Sequence, residues 1–184
     1  MIKLLIGVVA AAFVVIIGFL IIDPNANNNA NSIINSSSSL DTTTITIEGE
    51  VNKPGTYTLE SGATMSDLIN VAGGITSIAD ERCYFLDSYV YSGKSYYIAP
   101  LYDVNDVCNT QELAKVNINK DSSDQLIEVG GISASVASSI VSHRSENGQF
   151  LTLENLLDVY GIGNATYKKI RNYVILHEWY FYSF

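Results

Sequence analysis

Positive charge is scarce in this sequence: 10 Lys and Arg stand against 19 Asp and Glu, a formal net charge of −9. Proline, cysteine and histidine are scarcer still, with 3, 2 and 2 residues in 184. Each shortage excludes something. An acidic chain lacks, on average, the basic footprint that phosphate binding needs, which counts against a nucleic-acid partner. Two cysteines without a CxxC spacing or a histidine pair do not make a zinc site, so neither a metal nor a cofactor is expected. His143 and His177 have no carboxylate or cysteine at triad or ligand spacing, and no P-loop or nucleophile elbow occurs. The chain reads as a binding protein, not an enzyme.

The charge average conceals unlike segments. Residues 1–43 hold one base and 2 acids, residues 44–114 hold 3 bases and 10 acids, and residues 115–184 hold 6 and 7. The acidity belongs to the middle. From Leu4 to Ile22 no charged or strongly polar side chain occurs, and roughly 20 such residues in a helix span a bilayer. Lys3 before this run and Asp23 after it place Met1 in the cytoplasm and the rest outside, giving a single-pass anchor in the cell membrane over residues 1–23. A cleaved signal peptide is the rival; its apolar core is shorter, and Asp23-Pro24-Asn25 is a poor cleavage site. Residues 24–43, rich in Asn and Ser, read as a flexible linker.

Residues 44–51 alternate Ile45, Ile47, Gly49 and Val51 with polar groups, the period of a half-buried strand. Asn52-Lys53-Pro54-Gly55 predicts a turn with positive φ at Gly55, returning as a second strand over 56–59. Met65, Leu68, Ile69 and Ala72 recur at helical spacing, and Gly73-Gly74 closes that helix. Tyr89-Val90-Tyr91 and Tyr96-Tyr97-Ile98 around Ser92-Gly93-Lys94 predict two more strands, for the order β-β-α-β-β. Cys83 and Cys108 both fall in the exported part, where thiols oxidise; a disulfide and two buried free thiols are equally compatible with their spacing.

Residues 115–176 contain an internal repeat. Leu126-Ile127-Glu128-Val129-Gly130-Gly131-Ile132-Ser133, then Ala137 and Ile140, aligns with Leu156-Leu157-Asp158-Val159-Tyr160-Gly161-Ile162-Gly163, then Tyr167 and Ile170. Each copy predicts a short helix, a glycine turn and a second helix, so four short helices form two hairpins. Ser122 to Gln125 makes a capping box, and Gly148 ends the helix after the first turn. Glycine admits close backbone approach, and the first amides of the following helix lack intrahelical partners, which suits the turn to a phosphate oxygen. Amides cannot read bases, so recognition is expected to ignore sequence. Lys168, Lys169 and Arg171 follow the second turn, with no acid from Gly161 to Leu176. Three neutralised phosphates predict a log–log salt slope of about −3.

Two resemblances rest on these residues. GEVNKPGTYTL, TMSDLINVAGGIT and SYYIAP resemble the SLBB module, a β-grasp fold of exported proteins, here spanning residues 44–112. VNINKDSSDQLIEVGGIS, SSIVSHRSENGQF and LENLLDVYGIGNATYKKIRNYV resemble the paired helix-hairpin-helix domain of the ComEA family of competence DNA receptors, spanning residues 115–176. The order of anchor, SLBB-like module and paired hairpins is that of the Gram-positive members. The resemblance implies an α+β multidomain chain: a transmembrane helix, a β-grasp domain and an all-α hairpin domain. It further implies an extracellular receptor that holds double-stranded DNA without sequence preference and hands it to an uptake channel protein, with self-association through the SLBB-like module.

Carried over by position, the phosphate-contacting residues are Gly131, Ile132 and Ser133 in the first turn and Gly161, Ile162 and Gly163 in the second, with Asn164, Lys168, Lys169 and Arg171 beside it. Ser133 replaces the usual second glycine, and Val136 and Ala165 stand where polar or basic groups are common, so the first hairpin is expected to bind more weakly or act as scaffold. His143 and Arg144 are expected to serve the end of their helix rather than DNA. The aromatic tail, residues 177–184, is expected to fold back over the hairpin core. The competing assignment is an exported ligand- or glycan-binding protein, or a surface assembly protein whose hairpins bind protein.

Overall fold

A computed structural model describes residues 41–103 and 111–179. The predicted anchor at residues 1–23 and linker at 24–43 lie outside these residues, apart from the linker's last three. Among the described residues no helix is long and apolar enough to cross a membrane.

Strand β1 (Thr42–Gly49) pairs antiparallel with β2 (Gly55–Glu60), Ile45 opposite Tyr57 and Ile47 opposite Gly55. Its alternation places Thr43, Ile45 and Ile47 inward. Helix α1 (Met65–Val71) opens with a capping box, in which Thr64 accepts from the Asp67 amide and the Asp67 carboxylate accepts from the Thr64 amide. Met65, Leu68 and Ile69 face the sheet, and Gly73 and Gly74 follow with φ of 79° and 87°. Strand β3 (Ser95–Ile98) then pairs parallel with β1, making a three-stranded sheet in the order β2-β1-β3.

Two details of the predicted grasp are corrected. Tyr89-Val90-Tyr91 is not a strand of a hairpin: Val90 is buried and its amide bonds to Ala63 O at 3.0 Å, while the Gly93 amide reaches Thr44 O at 2.8 Å. The turn thus delivers the chain straight onto the free edge of β1, where β3 finds a parallel partner. Positive φ occurs not at Gly55 but at Gly49, at the end of β1. A Cβ there would lie 2.1 Å from Ile98 O, so only glycine lets β1 and β3 cross at this point.

The hairpin half begins with β4 (Val116–Asn117), which pairs parallel with β5 (Val174–Ile175). This half is therefore not all-α: Val116 and Asn117 at its start pair with Val174 and Ile175 at its end and close it. Between them lie α2 (Ser123–Leu126), α3 (Ala134–Asn147), a 3-10 helix (Leu153–Asp158) and α4 (Asn164–Ile170). The Ser122–Gln125 capping box and the Gly148 terminus form as expected. The third helix is 3-10 rather than α, with Leu153 and Leu156 on its buried side. Leu126, Val129, Ile132, Ala137, Ile140, Leu156, Val159, Ile162 and Ile170 fill the core of this half, the repeat's apolar positions in both copies.

The two halves are joined into one compact unit that includes every described residue. Asp80 is fully buried and forms ion pairs with Arg82 at 2.8 Å and with Lys115, the residue before β4, at 2.6 Å. Burial disfavours its charge, but the hydrogen bonds from Arg82 and Lys115 outweigh that and hold its carboxyl below the ordinary range. Cys83 carries a free, buried thiol that donates to Val174 O on β5 at 3.7 Å. Burial pushes this thiol up to about 12; Cys108, the other cysteine of the sequence, lies outside the described residues. The first three residues of the tail touch both halves, Glu178 accepting from Asn117 Nδ2 at 3.4 Å, while residues 180–184 lie outside the described residues. His177 bonds to Tyr84 O and lies 4.8 Å from the Phe85 ring, and Trp179 lies beneath the Arg82 guanidinium.

Candidate nucleic-acid interface

The two glycine turns have the same backbone. In the first, the Ile132 amide donates to Val129 O at 3.2 Å; in the second, the Ile162 amide donates to Val159 O at 3.1 Å. Gly131 and Gly161 hold positive φ, 118° and 90°, which lets the chain reverse within one peptide before each second helix. Val129, Ile132, Val159 and Ile162 are all buried, so apolar anchors on both sides hold each turn while Gly130, Ser133, Tyr160 and Gly163 remain exposed.

The helix starts beyond the two turns differ. Ser133 is the N-cap of α3, and its hydroxyl accepts from the Val136 amide at 3.3 Å. One of the amides that a phosphate oxygen would take is already occupied. Gly163 is the N-cap of α4 and offers no side-chain hydrogen bond, so the amides at the start of α4 keep their outward valence. Asn164 is exposed at the first position of that helix.

Lys168 and Lys169 are exposed on α4, and the stem of Lys169 runs beside the first turn. A methyl group placed on Gly131 would lie 3.1 Å from Lys169 Cδ, 3.2 Å from its Cε and 3.0 Å from Ile170 Cγ2. Helix α4 therefore starts at the second turn and ends against the first. One short helix brings its lysines between two outward-facing glycine turns. Gly161 in its place faces Val136 of α3, at 3.5 Å from the added methyl.

Arg171 belongs elsewhere. Its guanidinium lies 3.5 Å from the centre of the Tyr97 ring on β3 and 3.8 Å from Glu48 on β1, with 20% of the side chain exposed. The charge is spent on the junction between the halves. Around it, the Tyr97 hydroxyl donates to Asn172 Oδ1 at 2.8 Å, and Glu154 Oε1 accepts from both the Tyr97 amide at 2.8 Å and the Tyr167 hydroxyl at 2.7 Å. Burial pushes Glu154 and Tyr167 above their ordinary ranges. Two of the three cations named from the sequence, Lys168 and Lys169, are thus exposed on α4, and the third is at the junction. Arg144 also has a structural partner, Ile118 O at 2.8 Å, and His143 stacks on Phe150.

Sequence reasoning missed this junction, because Glu48, Tyr97, Glu154 and Asn172 carry no local pattern and meet only through the fold. It also passed over Tyr160, whose only signal is that an aromatic residue stands where the other repeat has Gly130.

Comparison with known proteins finds a match for each half of the chain. A family model for the SLBB domain matches residues 44–99, and one for the helix-hairpin-helix motif matches residues 111–175. A protein of Haemophilus influenzae without an assigned function is 40% identical over 62 residues, 33% of this chain and 55% of its own length. The mouse endonuclease/exonuclease/phosphatase family domain-containing protein 1 is 42% identical over 60 residues, but these are 10% of its length. ComE operon protein 1 of Bacillus subtilis is 32% identical over 147 residues, covering 75% of this chain and 72% of its own. With both halves matched and in the same chain, this protein belongs to the ComE operon protein 1 (ComEA) family.

Proposed function

We propose that the chain is a membrane-anchored extracellular receptor that binds double-stranded DNA without sequence specificity, for DNA uptake in natural competence. Membership of the ComEA family and the helix-hairpin-helix motif support DNA binding in competence. The observation that carries the reading is the course of α4, which begins at the uncapped turn of Gly163 and lays Lys169 against Gly131. Amide turns hold a backbone phosphate by shape, and adjacent lysines add charge without reading bases. In this proposal residues 4–22 anchor the chain, the acidic SLBB-like half faces other copies and the uptake channel, and the hairpins face the duplex.

Two lysines and two turns on a near-neutral half give modest affinity per molecule, on the non-specific scale of roughly 10⁻⁴ to 10⁻⁶ M. Capture then rests on several receptors engaging one duplex. The experiment uses the full chain in detergent, since an isolated hairpin fragment would leave Glu154, Asn172 and Arg171 without Tyr97 and Glu48. Duplexes of unrelated sequence are expected to bind equally and to weaken together as salt rises. Binding of one sequence alone, or none at any salt, would overturn the reading and favour a protein-binding role for the hairpins.

A further inference from the structure

Tyr160 stands at the crest of the second turn, directly before Gly161, and is 87% exposed. Almost none of its ring is used in packing the protein, and no hydrogen bond holds its hydroxyl among the described residues. The residues on either side of it in the turn behave differently: Val159 and Ile162 are buried, and Gly161 carries the positive φ that folds the turn. The corresponding residue of the first repeat is Gly130, which has no side chain to present. An aromatic group in full solvent at the tip of a rigid turn contributes little to stability, and it is held in place by the apolar anchors around it.

We infer that Tyr160 is a DNA-contacting residue, its ring packing on the deoxyribose next to the phosphate that the second turn holds. This rests on the proposed DNA-binding reading and adds an uncharged contact to it. A phosphate and its own sugar are covalent neighbours, as Tyr160 and the Gly161-Ile162-Gly163 turn are, so a ligand seated on the turn brings a sugar within reach of the ring. Tyr160 also borders a groove formed with α3, where Asp158, Glu146 and His143 lie beside Ser138 and Ser142. Two carboxylates disfavour a phosphodiester chain in that groove. Aromatic contact of this kind is indifferent to sequence, as amide contact is.

The test compares the full chain with Tyr160→Ala, Tyr160→Phe and Tyr160→Trp, measuring duplex binding over a range of salt. Tyr160→Ala is expected to weaken binding by about tenfold with its log–log salt slope and melting temperature unchanged, since no charge and no core packing are lost. Tyr160→Phe is expected to bind as the parent does. Tyr160→Trp is expected to change its emission on adding DNA, with the parent, whose single Trp179 is elsewhere, as control. Parent-like affinity of Tyr160→Ala, or an emission of Tyr160→Trp that does not respond to bound DNA, overturns the assignment. Absence of binding by the parent chain overturns the underlying reading instead, so the two failures are told apart.

Discussion

The first hairpin ends its turn with Ser133, whose hydroxyl takes up the Val136 amide, whereas the second ends with Gly163 and leaves its amides open. The first continues into a 14-residue helix whose Arg144 is bonded to Ile118 O; the second continues into a 7-residue helix carrying Lys168 and Lys169. The two share a backbone and have parted in chemistry. In the first, an amide is taken up within the turn; in the second, the amides stay open, and the Lys169 stem of its helix runs beside Gly131 of the first. A repeat thus places two equivalent turns on one surface without requiring equal contributions from them.

The sharpest way to break this comparison is to reverse the charge of the second hairpin. Lys168→Glu with Lys169→Glu is expected to weaken duplex binding by at least about a hundredfold and to flatten its salt dependence, as filter binding at graded salt would report. Equal loss from a charge reversal at Arg144 would show that the two hairpins contribute alike. Next in size is the backbone. Gly131→Ala forces a side chain into positive φ and against Ile170, with an expected cost of about 1–3 kcal/mol in urea unfolding; Gly161→Ala, with more room, is expected to cost about 1 kcal/mol.

Arg171 tests whether sequence position or fold decides the role of a cation. Arg171→Gln is expected to lower stability by about 1 kcal/mol through loss of the Tyr97 and Glu48 contacts, with the salt slope of DNA binding unchanged; a slope falling by about 1 would return Arg171 to the DNA face. The smallest effect concerns the caps. Ser133→Gly frees the Val136 amide and is expected to raise affinity about twofold while costing a few tenths of a kcal/mol, roughly the cap difference between the two residues. Gly163→Ser is expected to do the reverse. Titration of the pair side by side checks both, and identical affinities would remove capping as the source of the asymmetry.

Much of the fold is legible in the sequence where the signal is local. The alternation of Ile45 and Ile47, the Ser122–Gln125 capping box and the Gly148 terminus each depend on residues within one turn or strand, and each forms as read. The Tyr89-Val90-Tyr91 segment has the same alternation as a strand, yet partner choice is tertiary, and β3 occupies the edge of β1. Arg171 shows the same limit at the candidate site. Its neighbours in sequence are lysines exposed to solvent, and its neighbours in space are Tyr97 and Glu48, 74 and 123 positions away. Ser133 alone points to a weaker first hairpin, but the reason, a hydroxyl bonded to an amide, needs coordinates.

The course of β1 has a mechanical consequence. Any tension arriving along the chain from its N-terminal side enters at Thr42, the first residue of the central strand, which is laced to β2 on one edge and to β3 on the other. Tension arriving from the second hairpin enters through Glu154, Asn172 and Arg171 into Tyr97 on β3. The two paths meet at neighbouring parallel strands, so a pull between them falls on the β1–β3 ladder, paired from Thr46 and Ser95 to Gly49 and Ile98. Under the proposed function, with a support on the N-terminal side and a duplex on the hairpins, that ladder is where the load between them would fall.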